Sequence, residues 1–365
     1  MARGIEGIEH ELIAPELIAQ RGFLAAREPA YARTLDLLAD AIRGELGERL
    51  AATWAEREFN AFYERPLLLL AALRYDALCE GASHPLHAAL ASATPSAQGL
   101  DAQALARATS EERKTFHRTL RERAVQTNET TRAITWLWPA SLLGRAGETR
   151  PLALVDLGAS AGLNLIADEL PMPWIDEQGA ALALVPRPGI GLRLGLDLAP
   201  LDVRAEEAAI WLRACVWPSD QPRLLRLEQG IAHFRAAASR ADGPRLETCT
   251  LPEAPARLAE LPSGMLALCM QIIVRDYLSP KDRERYEHGM RELLVARPPR
   301  SMLWVTLELE PNGGSAERAV AITTRFLDAQ GALRELLLAR THPHPQQLFC
   351  DATAANELCA AWRSG

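Results

Sequence analysis

Hydrophobic periodicity changes once along this 365-residue chain, and that change limits the fold more than any other feature. Over residues 15–142 apolar side chains return every three or four positions, through Leu35, Leu38, Ile42 and Leu46 and again over 67–78, and no strand is apparent. A helix start at Ser110 opens a second helical run, 111–138, closed by Pro139. Beyond a polar hinge at 144–151 the pattern turns to short apolar runs between helical ones. Strands are expected at 152–157, 192–198, 246–250, 265–273, 302–309, 333–340 and 347–350, with helices at 163–170, 204–216, 223–238, 281–296 and 315–329. The alternation predicts an α/β fold, a mainly parallel sheet with helices on both faces, preceded by an all-helical N-terminal domain. Two domains are expected, a helical cap at 1–145 and the sheet domain at 146–365.

A net charge of -7 argues against general nucleic-acid binding, which relies on clustered cations. The N-terminus lacks the apolar core of a signal peptide and no run of eighteen apolar residues occurs, so neither a membrane span nor export is expected. The six cysteines show no C-x-x-C spacing and read as buried free thiols in a reducing, cytoplasmic setting. His84-Pro85-Leu86-His87 and His342-Pro343-His344 are closely spaced, but proline suggests turns and no third ligand is evident, so no metal site is expected. Trp136 and Trp138 read as core anchors, and oligomeric state is left open.

The most informative segment is Leu154-Val155-Asp156-Leu157-Gly158-Ala159-Ser160-Ala161-Gly162-Leu163-Asn164. A strand with an acid near its end enters a glycine turn and then a helix, giving D-x-G-x-x-x-G. Glycine permits positive φ and close approach of a ligand, while the amides of a following helix offer donors. An ordinary βα turn also contains glycine. The spacing is neither G-x-G-x-x-G nor G-x-x-x-x-G-K-[ST], which disfavours a dinucleotide site and a phosphate loop. Asp197, in Gly195-Leu196-Asp197-Leu198-Ala199-Pro200, ends the second expected strand. A carboxylate there can accept from two vicinal ribose hydroxyls, and it equally reads as a cap of the next helix.

These two acids resemble the first and second motifs of class I S-adenosylmethionine-dependent methyltransferases. Over nearly its whole length the chain also resembles a bacterial family of uncharacterised proteins, domain of unknown function 2332. That likeness rests on Gln126-Thr127-Asn128-Glu129-Thr130-Thr131-Arg132, Gly158 to Leu165, Asp197 to Asp202 and Val274-Arg275-Asp276-Tyr277-Leu278. The resemblance implies a Rossmann-like methyltransferase half that transfers a methyl group from S-adenosylmethionine to an unidentified small-molecule acceptor. It implies cofactor contacts at Asp156, Gly158, Ala159, Ser160, Gly162, Asn164, Asp197, Leu198, Thr250 and Gln271. Residues just beyond the fourth and fifth strands would face substrate, namely Arg275, Tyr277 and Glu308, with Asp276 and His344 as candidate bases. Gln126, Asn128, Glu129 and Arg132, spaced three or four apart on an expected helix, would add polar substrate contacts, or else form a solvated face or an interdomain hydrogen-bond network.

Two rival readings stand beside this one. Gly158-Ala159-Ser160-Ala161-Gly162 is also G-x-S-x-G, the nucleophile elbow of α/β-hydrolases, with Asp276, Glu308 or Glu310 and His342 or His344 available to complete an esterase triad. That elbow normally follows several strands, whereas everything before 152 reads as helical. The other rival is a protein that binds a nucleoside without turnover.

Overall fold

The computed structural model describes residues 8–171, 174–182, 184, 187–310 and 318–363. The chain divides into two compact units, residues 1–127 with 205–225, and residues 128–204 with 226–365. The first is helical, built from α1 (Ile8–Leu24), α2 (Pro29–Ala41), α3 (Glu45–Trp54), α4 (Glu64–Glu80), α5 (His87–Leu90), α6 (Ala102–Ala108), α7 (Lys114–Glu122) and, from the later segment, α9 (Glu206–Ala214). The expected heptad-like stripe is its core: Leu35, Leu38, Ile42 and Leu46 are all buried. α4 packs against α7 and α9, and the Trp54 indole donates to the Leu120 carbonyl at 3.1 Å.

The division does not fall at 145/146. Helix α8 (Ile134–Arg145) belongs to the second unit because its residues from Ile134 to Leu143 are all buried and it packs on the sheet. Pro139 lies inside α8 instead of closing a helix. Nor is 111–138 one helix. After α7 the chain is extended over 123–129, then forms a 3-10 turn at Thr130–Ala133 before α8. Gln126, Asn128, Glu129 and Arg132 therefore do not share a helical face.

The second unit holds an eight-stranded sheet: β1 (Leu152–Leu157), β2 (Ile190–Asp197), β3 (Arg245–Thr248), β4 (Leu266–Ile272), β5 (Met302–Leu309), β6 (Val320–Leu327), β7 (Leu333–Thr341) and β8 (Leu348–Cys350). The order is β3-β2-β1-β4-β5-β6-β7-β8. The first five strands are mutually parallel, and β6, β7 and β8 are added antiparallel. The expected helix at 315–329 is instead strand β6 from Val320 onward; 315–317 lie outside the described residues. Every residue of β1 is buried, as a central parallel strand covered on both faces requires. One face packs Val155, Leu157, Leu196, Cys269 and Trp304 against α11 (Ala254–Ala259) and α12 (Pro280–Ala296), whose Leu258, Tyr286 and Met290 are buried there. Helix α10 (Gln221–Ala237) and α13 (Ala352–Trp362) complete the helices. The cysteines are all unpaired, but only Cys269 and Cys359 are buried, and Cys79 is exposed. Among the described residues no helix is long and apolar enough to cross a membrane.

Candidate functional site

Strand order reverses between β1 and β4, and open α/β sheets gather ligands beyond the carboxyl ends of their strands at such a point. Leu157 pairs with Leu196 and Gln271, so the turn after β1, the end of β2 and the end of β4 form one rim. The turn is left-handed at every second residue, with φ of 84° at Gly158, 52° at Ser160 and 70° at Gly162. Glycine is required at 158 for a second reason: a Cβ there would lie 2.4 Å from Val274 Cγ1.

The five amides of this turn are all engaged by the protein. Gly158 and Ala159 donate to the Leu196 carbonyl, and Gly162 donates to the Ala159 carbonyl. Ser160 donates to Asp197 Oδ2 at 2.7 Å, and Ala161 to Asn128 Oδ1 at 3.2 Å. Asn128 Nδ2 in turn donates to Ser160 Oγ at 2.6 Å, so the side chain of Asn128 brackets the turn. The segment after Gly162 is a 3-10 helix, Leu163–Glu169, not an α-helix. The five amides of the glycine turn are thus taken by the protein's own acceptors. Unpartnered acceptors lie beside them.

Asp156 Oδ2 and Asn164 Oδ1 are buried with no hydrogen-bond partner among the described residues. Asp156 is 1% exposed, and burial, reinforced by the Asp197 charge, pushes its carboxyl up to about 8. It is therefore largely neutral at pH 7. Asp197 is half-buried, and its oxygens accept from the Ser160 and Ala199 amides, the latter at 2.8 Å. One lone pair on each oxygen remains.

On the other side of β1, Gln271 at the end of β4 has its side-chain polar atoms engaged by the protein. It is 1% exposed and fixed by three bonds: its Nε2 donates to Glu308 Oε1 at 2.5 Å, and its Oε1 accepts from Tyr286 Oη at 2.7 Å and from Trp304 Nε1 at 3.3 Å. Glu308 also accepts from the Val274 amide at 3.2 Å, and burial raises its carboxyl to about 7. Between them, Ile273 has φ of 48°, an unfavourable conformation for a β-branched residue, held by its amide bonding to the Leu307 carbonyl at 2.8 Å. Strained backbone and a buried carboxyl poised near neutrality coincide just past β4 and β5.

A second cluster surrounds Glu129, whose side chain is fully buried. It accepts from Arg226 through both carboxylate oxygens at 3.0 and 3.1 Å, and from Thr131. His344 Nδ1 lies 3.8 Å from Glu129 Oε2, and Arg132 donates to the Pro343 carbonyl at 2.8 Å. Glu129, Arg132 and His344 are therefore together, tied to the turn through neighbouring Asn128. The remaining expected contacts disperse. Thr250 forms a capping box with Glu253 over a 3-10 turn, Leu198 is 71% exposed, and Arg275 pairs with Glu287 of α12 at 3.0 Å. Asp276 and Tyr277 lie on the 3-10 turn Arg275–Tyr277 after β4, and Gln126 is half-buried in the extended segment of the first unit. Sequence reasoning missed Arg226, Ile273 and Val274. Nothing local marks an arginine as the partner of an acid 97 residues away, and isoleucine carries no signal for left-handed backbone.

No curated protein matches the chain. A family model, described as an uncharacterised protein conserved in bacteria, matches residues 21–349 and so takes in the glycine turn, both acids, Asn128, Glu129, Glu308 and His344. With nine-tenths of its length inside that match, the chain belongs to this bacterial family, DUF2332.

Proposed function

We propose that the rim beyond β1, β2 and β4 binds S-adenosylmethionine and that the protein is a methyltransferase acting on a small-molecule acceptor. The observation that carries this reading is the engaged turn: amides 158–162 serve the protein's own acceptors, half-buried Asp197 keeps acceptor capacity, and the buried oxygens Asp156 Oδ2 and Asn164 Oδ1 have no partner among the described residues. A phosphate-bearing ligand needs donors and would meet carboxylates. A cationic nucleoside brings hydroxyl and ammonium donors, which suit this set. Asp197 would hold the ribose hydroxyls through its two unused lone pairs, and Asp156 would lie near positive charge. When bound, the cofactor supplies a methyl group already activated on sulfur. The chain's part is then alignment and exclusion of water, with proton removal from the acceptor assigned to Glu308 in preference to Asp276 or His344. Glu308 is buried beside the switch point with a carboxyl near 7, where a base works most efficiently at neutral pH.

Calorimetry with S-adenosylmethionine and S-adenosylhomocysteine tests the reading. Binding should be saturable, should raise the melting temperature, and should fall at least tenfold in Asp197→Ala. Neutral Asp156 beside a cation should ionise, so binding at pH 7 should release about one proton, read as buffer-dependent heat. Absence of binding to either nucleoside refutes the assignment. The positive φ of Ser160 favours the esterase alternative to the extent that a nucleophile elbow is strained. Against it, Ser160 Oγ is held by Asn128, and no strand precedes β1 among the described residues. Labelling of Ser160 by a fluorophosphonate would reverse the preference.

A further inference from the structure

A cavity of the sheet-bearing unit, about 510 Å³, lies between α8 and α13. Trp138, Leu142 and Arg145 line it from α8 at helical spacing. Ala352, Ala355, Asn356, Cys359 and Arg363 line it from one face of α13 and its C-terminal end. Its chemistry is one-sided. Arg145, Arg363 and Asn356 bring donors, and among the described residues no aspartate or glutamate lines it. Leu142, Ala352, Ala355 and the Trp138 ring supply apolar wall.

The Trp138 ring is 6% exposed. The Arg145 guanidinium stacks 5.5 Å from the same ring, bringing positive charge to its face. The thiols do not supply reactivity. Burial raises the pKa of both Cys350 and Cys359, and Cys359 Sγ contacts the Leu142 carbonyl at 3.4 Å. The cavity is thus built for binding.

We propose that this cavity is a binding site for a small amphipathic carboxylate, its anionic head on Arg145 and Arg363 and its apolar body along Leu142, the Trp138 ring and the alanines of α13. The volume is that of a small-molecule site. A carboxylate matches two guanidinium groups, and the apolar wall selects a tail that inorganic anions lack.

Octanoate is the probe, with octanol and inorganic phosphate as controls, measured by calorimetry on the full chain. Octanoate should bind saturably, one per chain, and at least tenfold tighter than either control. Arg363→Gln and Arg145→Gln, changes at exposed positions, should each weaken it about tenfold. Melting temperatures of the variants report that they fold. Saturating octanoate should slow alkylation of Cys350 and Cys359 while leaving exposed Cys79 unchanged. No saturable binding up to about 10 mM overturns the proposal. So does octanol binding equally well, undiminished affinity in a folded Arg363→Gln variant, or binding without protection of the two thiols.

Discussion

Replacing Asp156 by asparagine should change how stability depends on pH, by an amount fixed by its burial. The unfolded carboxyl titrates near 3.8 and the folded one near 8, so between these values the native state keeps a proton that the unfolded chain releases. Raising pH through this window therefore favours unfolding. Each unit corresponds to about 1.4 kcal/mol, and the cost accumulated by pH 7 is about 4 kcal/mol. Asparagine has nearly the same shape and cannot titrate. The wild type and Asp156→Asn carry the same other ionisable groups, including Glu308, so the difference between their unfolding free energies isolates this one carboxyl. Urea unfolding followed by tryptophan fluorescence at pH 5.5, 6.5 and 7.5 should show the variant gaining on the wild type by about 2.5 kcal/mol across the series. A fixed offset from the new amide shifts the curves without altering that slope. Parallel profiles would mean that Asp156 ionises as freely in the folded chain as in water. A difference of opposite sign would mean that it is held ionised by a cation, and either result refutes the burial argument.

Gly158→Ala should destabilise by about 3 kcal/mol, through positive φ and the collision with Val274 Cγ1. Val274→Ala in the same chain should recover part of that loss, because it removes the collision but not the strain; additive losses in a thermal-unfolding cycle would contradict this contact. Arg226→Met should cost about 3–5 kcal/mol by removing the guanidinium that pairs with both oxygens of the buried Glu129 carboxylate, and adding Glu129→Gln should restore most of it in chemical denaturation. If Glu308 removes a proton from the acceptor, methyl transfer should rise with pH through about 7, since the carboxylate is the active form. Glu308→Gln should flatten that limb and lower kcat by about a hundredfold with little change in cofactor affinity; an unchanged pH–rate profile would assign the proton elsewhere.

Strands β1 and β5 were legible because their continuous apolar runs end in strong punctuation, Gly158 after one and the Glu308-Leu309-Glu310 charges after the other. Strand β6 was not. Its buried positions are Val320, Ile322, Thr324, Phe326 and Leu327, and a threonine in the inward series blurs a period of two into one that also fits a helix. The break at 123–129 was hidden for a different reason. No glycine or proline interrupts Arg123-Ala124-Val125-Gln126-Thr127-Asn128-Glu129, and the extended path is held by Asn128 bonding to Ser160 and Ala161, more than thirty residues away. Pro139 misled because a proline was read as a stop, whereas α8 is buried on all sides and tertiary packing outweighs the lost backbone bond.

The site divides along the same line. Acids at strand ends are visible locally, so Asp156 and Asp197 could be named from the pattern alone. Whether a turn's amides are available depends on partners brought from elsewhere, and here they come from β2 and from the segment before α8. That difference reverses the chemistry expected of the rim. A glycine turn with open amides attracts anions, but this one is neutralised by the Asp197 carboxylate and the Asn128 amide, with a further carboxyl beneath it. Phosphate would face the Asp197 carboxylate and find the five turn amides already engaged. Hydroxyl and ammonium groups would find acceptors already oriented by backbone bonds, at little cost in side-chain ordering. The preference for a cationic nucleoside over a dinucleotide thus follows less from the spacing of the glycines than from which groups have already taken their amides.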